Sequence, residues 1–177
     1  MNDIDELERI RKTWNDRYER DDHAFGDVPS PTAELLADNL SPVSKVLEVG
    51  FGTGRDIALL AQCGHNIHGV ELAEKVLAKT REYLAQFNLN SRVQLMDGDF
   101  SRIELRENAF DAVLTHRMVH LLGQNGLVRA FANKAAYVLK PGGLLYVSAR
   151  DERDFDSEDM IERTDGMIEY KDPLRKG

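Results

Sequence analysis

The sequence predicts an α/β fold, a doubly wound and mainly parallel sheet with helices on both faces. Three observations carry it. From residue 44 onward, strand-like segments alternate with helix-like ones. Several strand segments, KVLEVG and FDAVLT among them, hold runs of apolar residues rather than strict alternation, as strands buried on both faces do. The first of them also runs straight into a glycine-rich turn, Gly50-Phe51-Gly52-Thr53-Gly54, that feeds a helix.

The elements follow in order. Ile4, Leu7, Ile10, Trp14 and Tyr18 recur at helical spacing, and acidic residues crowd the first turns, so a helix is expected from about Asp3 to Tyr18. The loop ERDDHAFGDVPSP follows, broken by Gly26, Pro29 and Pro31. Pro31 after Ser30 opens a short helix carrying Leu35, Leu36 and Leu40. KVLEVG is the first strand, and the helix after its glycine turn ends at Gly64. NIHGVEL is the second strand, followed by a helix whose face holds Ala73, Val76, Leu77, Thr80, Leu84 and Phe87. RVQLM, FDAVLT and GLLYVSA are the third, fourth and fifth strands. Leu127, Val128, Phe131, Ala135 and Val138 mark a helix between the last two, stopped by Lys140-Pro141-Gly142-Gly143.

At 177 residues the chain has room for one domain. Its expected parts are N-terminal helices acting as a lid (1–43), a binding core (44–148) and a short C-terminal segment (149–177). With 23 basic against 31 acidic residues, the net charge is -8. Nucleic-acid grooves and anionic membrane surfaces demand a positive field, so a small molecule is the expected partner. Cys63 is the only cysteine and forms no internal disulfide, which suits a reducing compartment, the cytoplasm. It is expected to be buried as a small apolar residue, with His65 and His68 at the surface. No apolar run approaches the roughly 18 residues needed to span a bilayer.

Ligands of such sheets bind at the carboxyl ends of the strands, so the residues just after each strand carry the chemistry. Gly50, Gly52 and Gly54 let the backbone turn sharply and approach a ligand closely, at the start of a helix that presents unpaired N–H groups. Arg55 stands where a dinucleotide fingerprint would need a third small glycine, and no G-K-[ST] follows. Glu48, inside the first strand, is a buried carboxylate in need of a partner. Glu71, ending the second strand, can accept hydrogen bonds from ribose hydroxyls. After the third strand, Asp97 or Asp99 can accept from an exocyclic amine, with Leu72 or Phe100 covering the ring; Gly98 favours Asp99 as the residue presented.

These segments, VLEVGFGTGRD, GVEL, DGDF, FDAVLT and LKPGGLLYVS, resemble in order a class I S-adenosylmethionine-dependent methyltransferase, a Rossmann-like fold, over residues 44 to 148. The N-terminal WNDRY and the later FGDVPSP look like the tellurite-resistance and thiopurine methyltransferase-like branch. The resemblance implies S-adenosyl-L-methionine as cofactor, with Gly50, Gly52 and Gly54 under its methionine part. It implies Glu71 on the ribose, Asp99 with Phe100 on the adenine, and Thr115 and His116 beside the sulfonium. The branch resemblance implies a lid of Trp14, Arg17 and Tyr18, with Arg17 reaching the cofactor carboxylate. Trp14 could equally be a core anchor of an amphipathic helix.

His116 is the candidate catalytic residue, as a cofactor contact or base, and His120 and Arg150 are candidate substrate contacts. Arg117 is either solvent-facing or an acceptor anchor. A metal at the His116/His120 pair is not expected, because no acid or cysteine ligand accompanies it. The resulting expectation is methyl transfer to a small molecule by in-line displacement. The alternative is a non-catalytic cofactor-binding or partner-binding protein on the same fold; a nicotinamide oxidoreductase is disfavoured by Arg55. The resemblance also implies two final strands forming an antiparallel pair, which the charged segment after residue 150 lacks, offering one short strand at 166–170. The expectation is either a truncated form of a longer methyltransferase or a reduced sheet with an exposed edge, and an uncovered edge would invite a homodimer.

Overall fold

The computed structural model describes residues 3–20, 26–123, 126–150, 160–162 and 168–170. Five strands, β1 (Lys45–Val49), β2 (Asn66–Glu71), β3 (Val93–Asp97), β4 (Phe110–His116) and β5 (Leu139–Ser148), form one sheet in the order β3-β2-β1-β4-β5. All its pairings are parallel. The chain winds outward from β1 to β3, then returns to lay β4 against the other side of β1. The strand order therefore reverses between β1 and β4, where Val46 lies opposite both Ile67 and Ala112.

Strand periodicity sends alternate residues to opposite faces and so builds two cores. On one face, Val46, Ile67, Ala112 and Leu114 pack with Leu36, Ile57, Leu60 and Leu84. Those partners come from α2 (Pro31–Ala37), α3 (Arg55–Gln62) and α4 (Val76–Ala85), while α1 (Asp3–Arg20) adds Tyr18. On the other face, Leu47, Val70 and Val113 meet Phe131, Ala135 and Val138 of α5 (Gly126–Val138). The β3–β4 connection has no helix, and its Ile103, Leu105 and Ala109 complete that second core. Each fully buried Leu or Ile contributes about 1.5–3 kcal/mol, so the two cores dominate stability.

Local signals explain most boundaries. Ser30 caps α2, its hydroxyl accepting the Ala33 N–H at 3.1 Å, and Pro31 occupies the first turn. The same Ser30 donates from its N–H and its hydroxyl to the Asp56 carboxylate, both at 2.6 Å, tying α2 to the start of α3. Periodicity overestimates burial at three places: Ile4 and Leu35 are each more than half exposed, and Phe87 is 43% exposed.

The expected stop at Lys140–Gly143 lies inside β5 instead. Leu139 pairs with Phe110 but Leu144 with Ala112, so the intervening residues bulge out of the edge strand. Pro141, lacking an N–H, is tolerated there, and Lys140 pairs with Asp111 at 2.6 Å.

Three expectations are corrected. Cys63 is exposed, because it terminates α3 beyond the last core-facing turn. His65 is buried, its Nδ1 accepting the Ser44 N–H at 3.1 Å. His68 is half-buried edge-on against Phe110, ring centroids 5.2 Å apart, and burial first and Lys45 second lower its pKa to about 4. The single short strand expected near the C-terminus has a partner: β6 (Met160–Glu162) and β7 (Ile168–Tyr170) pair antiparallel as a sheet of their own. The five-stranded sheet itself holds no antiparallel strand among the described residues, so β5 is an edge there, with Leu145 and Val147 each 46% exposed. No helix of the described residues is long and apolar enough to cross a membrane.

Candidate functional site

A cavity of about 470 Å³ opens at the carboxyl ends of the strands, where the strand order reverses, within the usual range of about 300–1,000 Å³ for small-molecule sites. Its floor is the turn after β1. Gly50, Gly52 and Gly54 have φ of 76°, 53° and 85°, left-handed values that favour glycine. A side chain there would meet protein before any ligand. A Cβ on Gly52 would lie 2.9 Å from the Tyr18 hydroxyl, and one on Gly54 2.5 Å from Thr80 Cγ2. The glycines thus serve the turn and the seating of α1 and α4 on it; Gly50 and Gly52 line the cavity and Gly54 does not.

Glu71 holds this floor from β2. Its two carboxylate oxygens accept the Gly52 and Ala73 N–H groups, each at 3.0 Å. Each oxygen keeps a further lone pair for a ligand hydroxyl. Burial raises the Glu71 pKa, and the backbone amides oppose that rise. Glu48 is 2% exposed, and its Oε2 has no hydrogen-bond partner among the described residues. Burial, then the nearby Asp56 and Glu71, push its pKa well above the usual carboxyl value. Such an orphaned acceptor in a cavity wall fits a cationic donor such as an ammonium group.

At the end of β3 the cavity takes Asp99 and Phe100 into its lining and leaves Asp97 out. Asp99 accepts the Ser101 N–H at 2.9 Å and pairs with Arg102 at 3.3 Å, so its carboxylate is already anchored in its own turn. Phe100 is buried and tilted on Phe131, centroids 5.5 Å apart, so it serves the second core as well as the wall. Leu72 also lines the wall.

Helix α1 covers the opening. Trp14, Arg17 and Tyr18 all line the cavity, with Trp14 and Tyr18 rings 5.8 Å apart. Burial, followed by the Glu71 charge, raises the Tyr18 pKa and keeps its hydroxyl protonated.

Past the switch point, His116, His120 and Arg150 reach the lining. His116 Nδ1 meets the Thr32 hydroxyl at 2.9 Å and the Ser148 hydroxyl at 2.7 Å. Burial lowers its pKa, against an opposing contribution from Asp56. Thr115 is corrected: it is fully buried and absent from the lining, because strand alternation turns it to the face opposite His116. The sequence reading did not place Leu7, Ile10, Asp56, Met118 and Leu122 at the site. Leu7 and Ile10 carried a signal in the apolar stripe of α1; Asp56 carried none, since its partner Ser30 is remote in sequence.

A parallel sheet with a glycine turn after its first strand and a carboxylate ending the second defines an α/β protein built for a nucleotide-type cofactor. Residues 46–143, more than half of the chain, match the methyltransferase domain, and the chain belongs to that family, the class I S-adenosylmethionine-dependent methyltransferases. It is 34% identical over 103 residues to a demethylmenaquinone methyltransferase of Tropheryma whipplei, covering 58% of this chain and 40% of that one. It is 33% identical over 117 residues to ribosomal RNA small subunit methyltransferase C of Alcanivorax borkumensis, covering 64% and 34%. Among solved structures it resembles the [4+2]-cyclase SpnF, with a TM-score of 0.58 at 27% identity, covering 64% of this chain and 42% of that one. The chain spans less than half the length of these three relatives.

Proposed function

We propose that the protein transfers a methyl group from S-adenosylmethionine to a small-molecule acceptor. The observation that carries this is the cavity at the switch point, with the Gly50–Gly54 turn, Glu71 and the unpartnered Glu48 oxygen on one wall. When bound, the cofactor would supply an electrophilic methyl on a sulfonium, open to in-line attack by the acceptor nucleophile with S-adenosylhomocysteine as the leaving group. Glu71 would hold the ribose through the lone pairs left over from Gly52 and Ala73, and Glu48 would meet the cofactor ammonium. Leu72 and Phe100 would flank the adenine, with Asp99 toward its amine. Trp14, Arg17 and Tyr18 would close α1 over the site and keep water out, in the manner of the tellurite-resistance and thiopurine methyltransferase-like branch. Alignment and desolvation of that kind supply up to about 7–11 kcal/mol, so no dedicated base is required.

A small acceptor is supported by the enclosed volume and the net charge of -8. The lone exposed thiol of Cys63 suits the cytoplasm. The edge strand β5, with Leu145 and Val147 half exposed, supports a second copy of the chain as partner.

Calorimetric titration with S-adenosylhomocysteine tests the cofactor site. Glu71→Ala removes charge-assisted hydrogen bonds worth about 1.5–3 kcal/mol, so affinity should fall about 10- to 100-fold. No binding by the wild type, or unchanged affinity in the variant, overturns the assignment. The similarity to a protein named as a cyclase keeps a non-methylating activity as the second reading. Labelled methyl turnover on a thiol, amine and metalloid panel decides between the two.

A further inference from the structure

Four apolar side chains in the cavity lining have no place in either core. Leu7 and Ile10 from α1, Leu121 from the short helical turn after β4 (Val119–Leu122) and Leu127 near the start of α5 all line the cavity, and none belongs to the two clusters that flank the sheet. Ile10 and Leu127 are buried, and Leu7 and Leu121 are half-buried. Packing of the sheet therefore does not account for them. A single apolar side chain outside a core needs no explanation, but several from three elements converging on one cavity do.

Their placement is set by the way α1 crosses the opening. Toward its C-terminal end, Tyr18 sits over Gly52, and Asn15 accepts the Lys75 N–H ahead of α4 at 3.1 Å. Leu7 lies about 16 Å back along the helix from Tyr18. Both α1 and α5 pack against the turn after β4. Met118 opens that turn, and its Cγ lies 2.8 Å from where a Cβ on Gly50 would stand. The apolar wall thus begins directly on the glycine turn. The basic groups of the lining are already engaged. Arg17, Arg55, Arg117, His120 and Arg150 line the cavity, and each interacts with other groups of the protein. His116 Nδ1 meets the Thr32 and Ser148 hydroxyls.

We infer that the methyl acceptor carries an uncharged, apolar body of about ring size, seated between the N-terminal half of α1 and the turn after β4, on Leu7, Ile10, Leu121 and Leu127. It rests on the methyl-transfer reading for the identity of the occupant, but the subsite itself is read from the lining. The size follows from the cavity, about 470 Å³, which cofactor and acceptor share although it is the room of one drug-sized ligand. The lack of charge follows from desolvation. An ionic group placed there loses hydration that leucine and isoleucine side chains cannot replace, whereas each methylene buried gains affinity. Helix α1 then selects the acceptor as well as covering the cofactor.

Phenol, para-cresol and para-ethylphenol form the test series, with benzoate and benzylamine as the anionic and cationic counterparts of para-cresol. Each is titrated calorimetrically into the full chain, free and saturated with S-adenosylhomocysteine. Affinity for the phenols should rise about fourfold per added carbon, at one site per chain. Benzoate and benzylamine should bind at least about tenfold more weakly than para-cresol. Leu7→Ala combined with Leu121→Ala should weaken para-ethylphenol at least about tenfold and leave S-adenosylhomocysteine affinity within about threefold, which doubles as the control for folding. Leu121→Phe, which fills the subsite instead of emptying it, should erase the advantage of para-ethylphenol over phenol, and it decides the matter if the double variant does not fold. Charged probes that match para-cresol, no gain along the series, no binding of any phenol, or a gain that survives these substitutions overturns the subsite. Failure of S-adenosylhomocysteine to bind the wild type counts instead against the cofactor assignment, and the series on the free chain still decides the subsite.

Discussion

Gly54→Ala is the sharpest probe of how the cofactor turn is assembled. Gly54 has φ of 85° and caps α3, and an added Cβ would lie 2.5 Å from Thr80 Cγ2. Two separable costs follow. The left-handed conformation costs a non-glycine residue about 1–2 kcal/mol. Forcing a methyl into a filled site costs about 1–3 kcal/mol more, and Thr80 has no room to withdraw, being fully buried with its hydroxyl donating to the Gly52 or Val76 carbonyl. The substitution should therefore destabilise the protein by about 2–5 kcal/mol in total. Thr80→Ser removes the opposing methyl and keeps the hydroxyl, at a cost of about 1 kcal/mol by itself. In that background, Gly54→Ala should cost only the conformational part, about 1–2 kcal/mol. Urea unfolding followed by the fluorescence of Trp14, the single tryptophan, measures all four proteins. Equal costs in the two backgrounds would refute the packing argument, and a cost below about 1 kcal/mol would refute both parts.

Two further outcomes are expected. Because the Glu48 pKa is raised well above 4.5, the folded chain keeps a proton there that the unfolded chain loses near pH 4.5. Above that pH the unfolded state binds fewer protons, so this residue's contribution to stability falls as pH rises. Glu48→Gln should make that decline shallower, and urea midpoints that track the wild type across the range would contradict the buried, neutral carboxyl. Analytical ultracentrifugation should find a dimer that Leu145→Lys disrupts through the β5 edge; a stable wild-type monomer at high micromolar concentration would count against the edge as an interface.

Much of the fold was legible because its signals are local. The apolar runs around Leu47 and Val113, the helix breaks at Gly64 and Pro141, and the Ser30-Pro31 cap each depend on residues within a turn of one another. Burial was less legible where it depends on which elements meet. Cys63 and Leu35 lie on apolar patterns yet face outward, while His65 is drawn inward to satisfy the Ser44 N–H. The bulge at Lys140–Gly143 was visible as a break but not as part of a strand, since only pairing with β4 decides that. The partner of the C-terminal strand was hidden because Met160–Glu162 carries too few residues for a periodic signal.

The sequence by itself determined the parallel α/β class, the glycine turn and the order of the residues that follow each strand, because backbone conformation and strand burial are written in short patterns. The tertiary structure decided which of those residues share a cavity. It turned Thr115 away from His116 and chose Asp99 over Asp97. It also seated Tyr18 over Gly52 and joined Ser148 to both His116 and Arg117. Those outcomes depend on strand register and on contacts between residues distant along the chain, where periodicity carries no information and only the packed fold fixes distance.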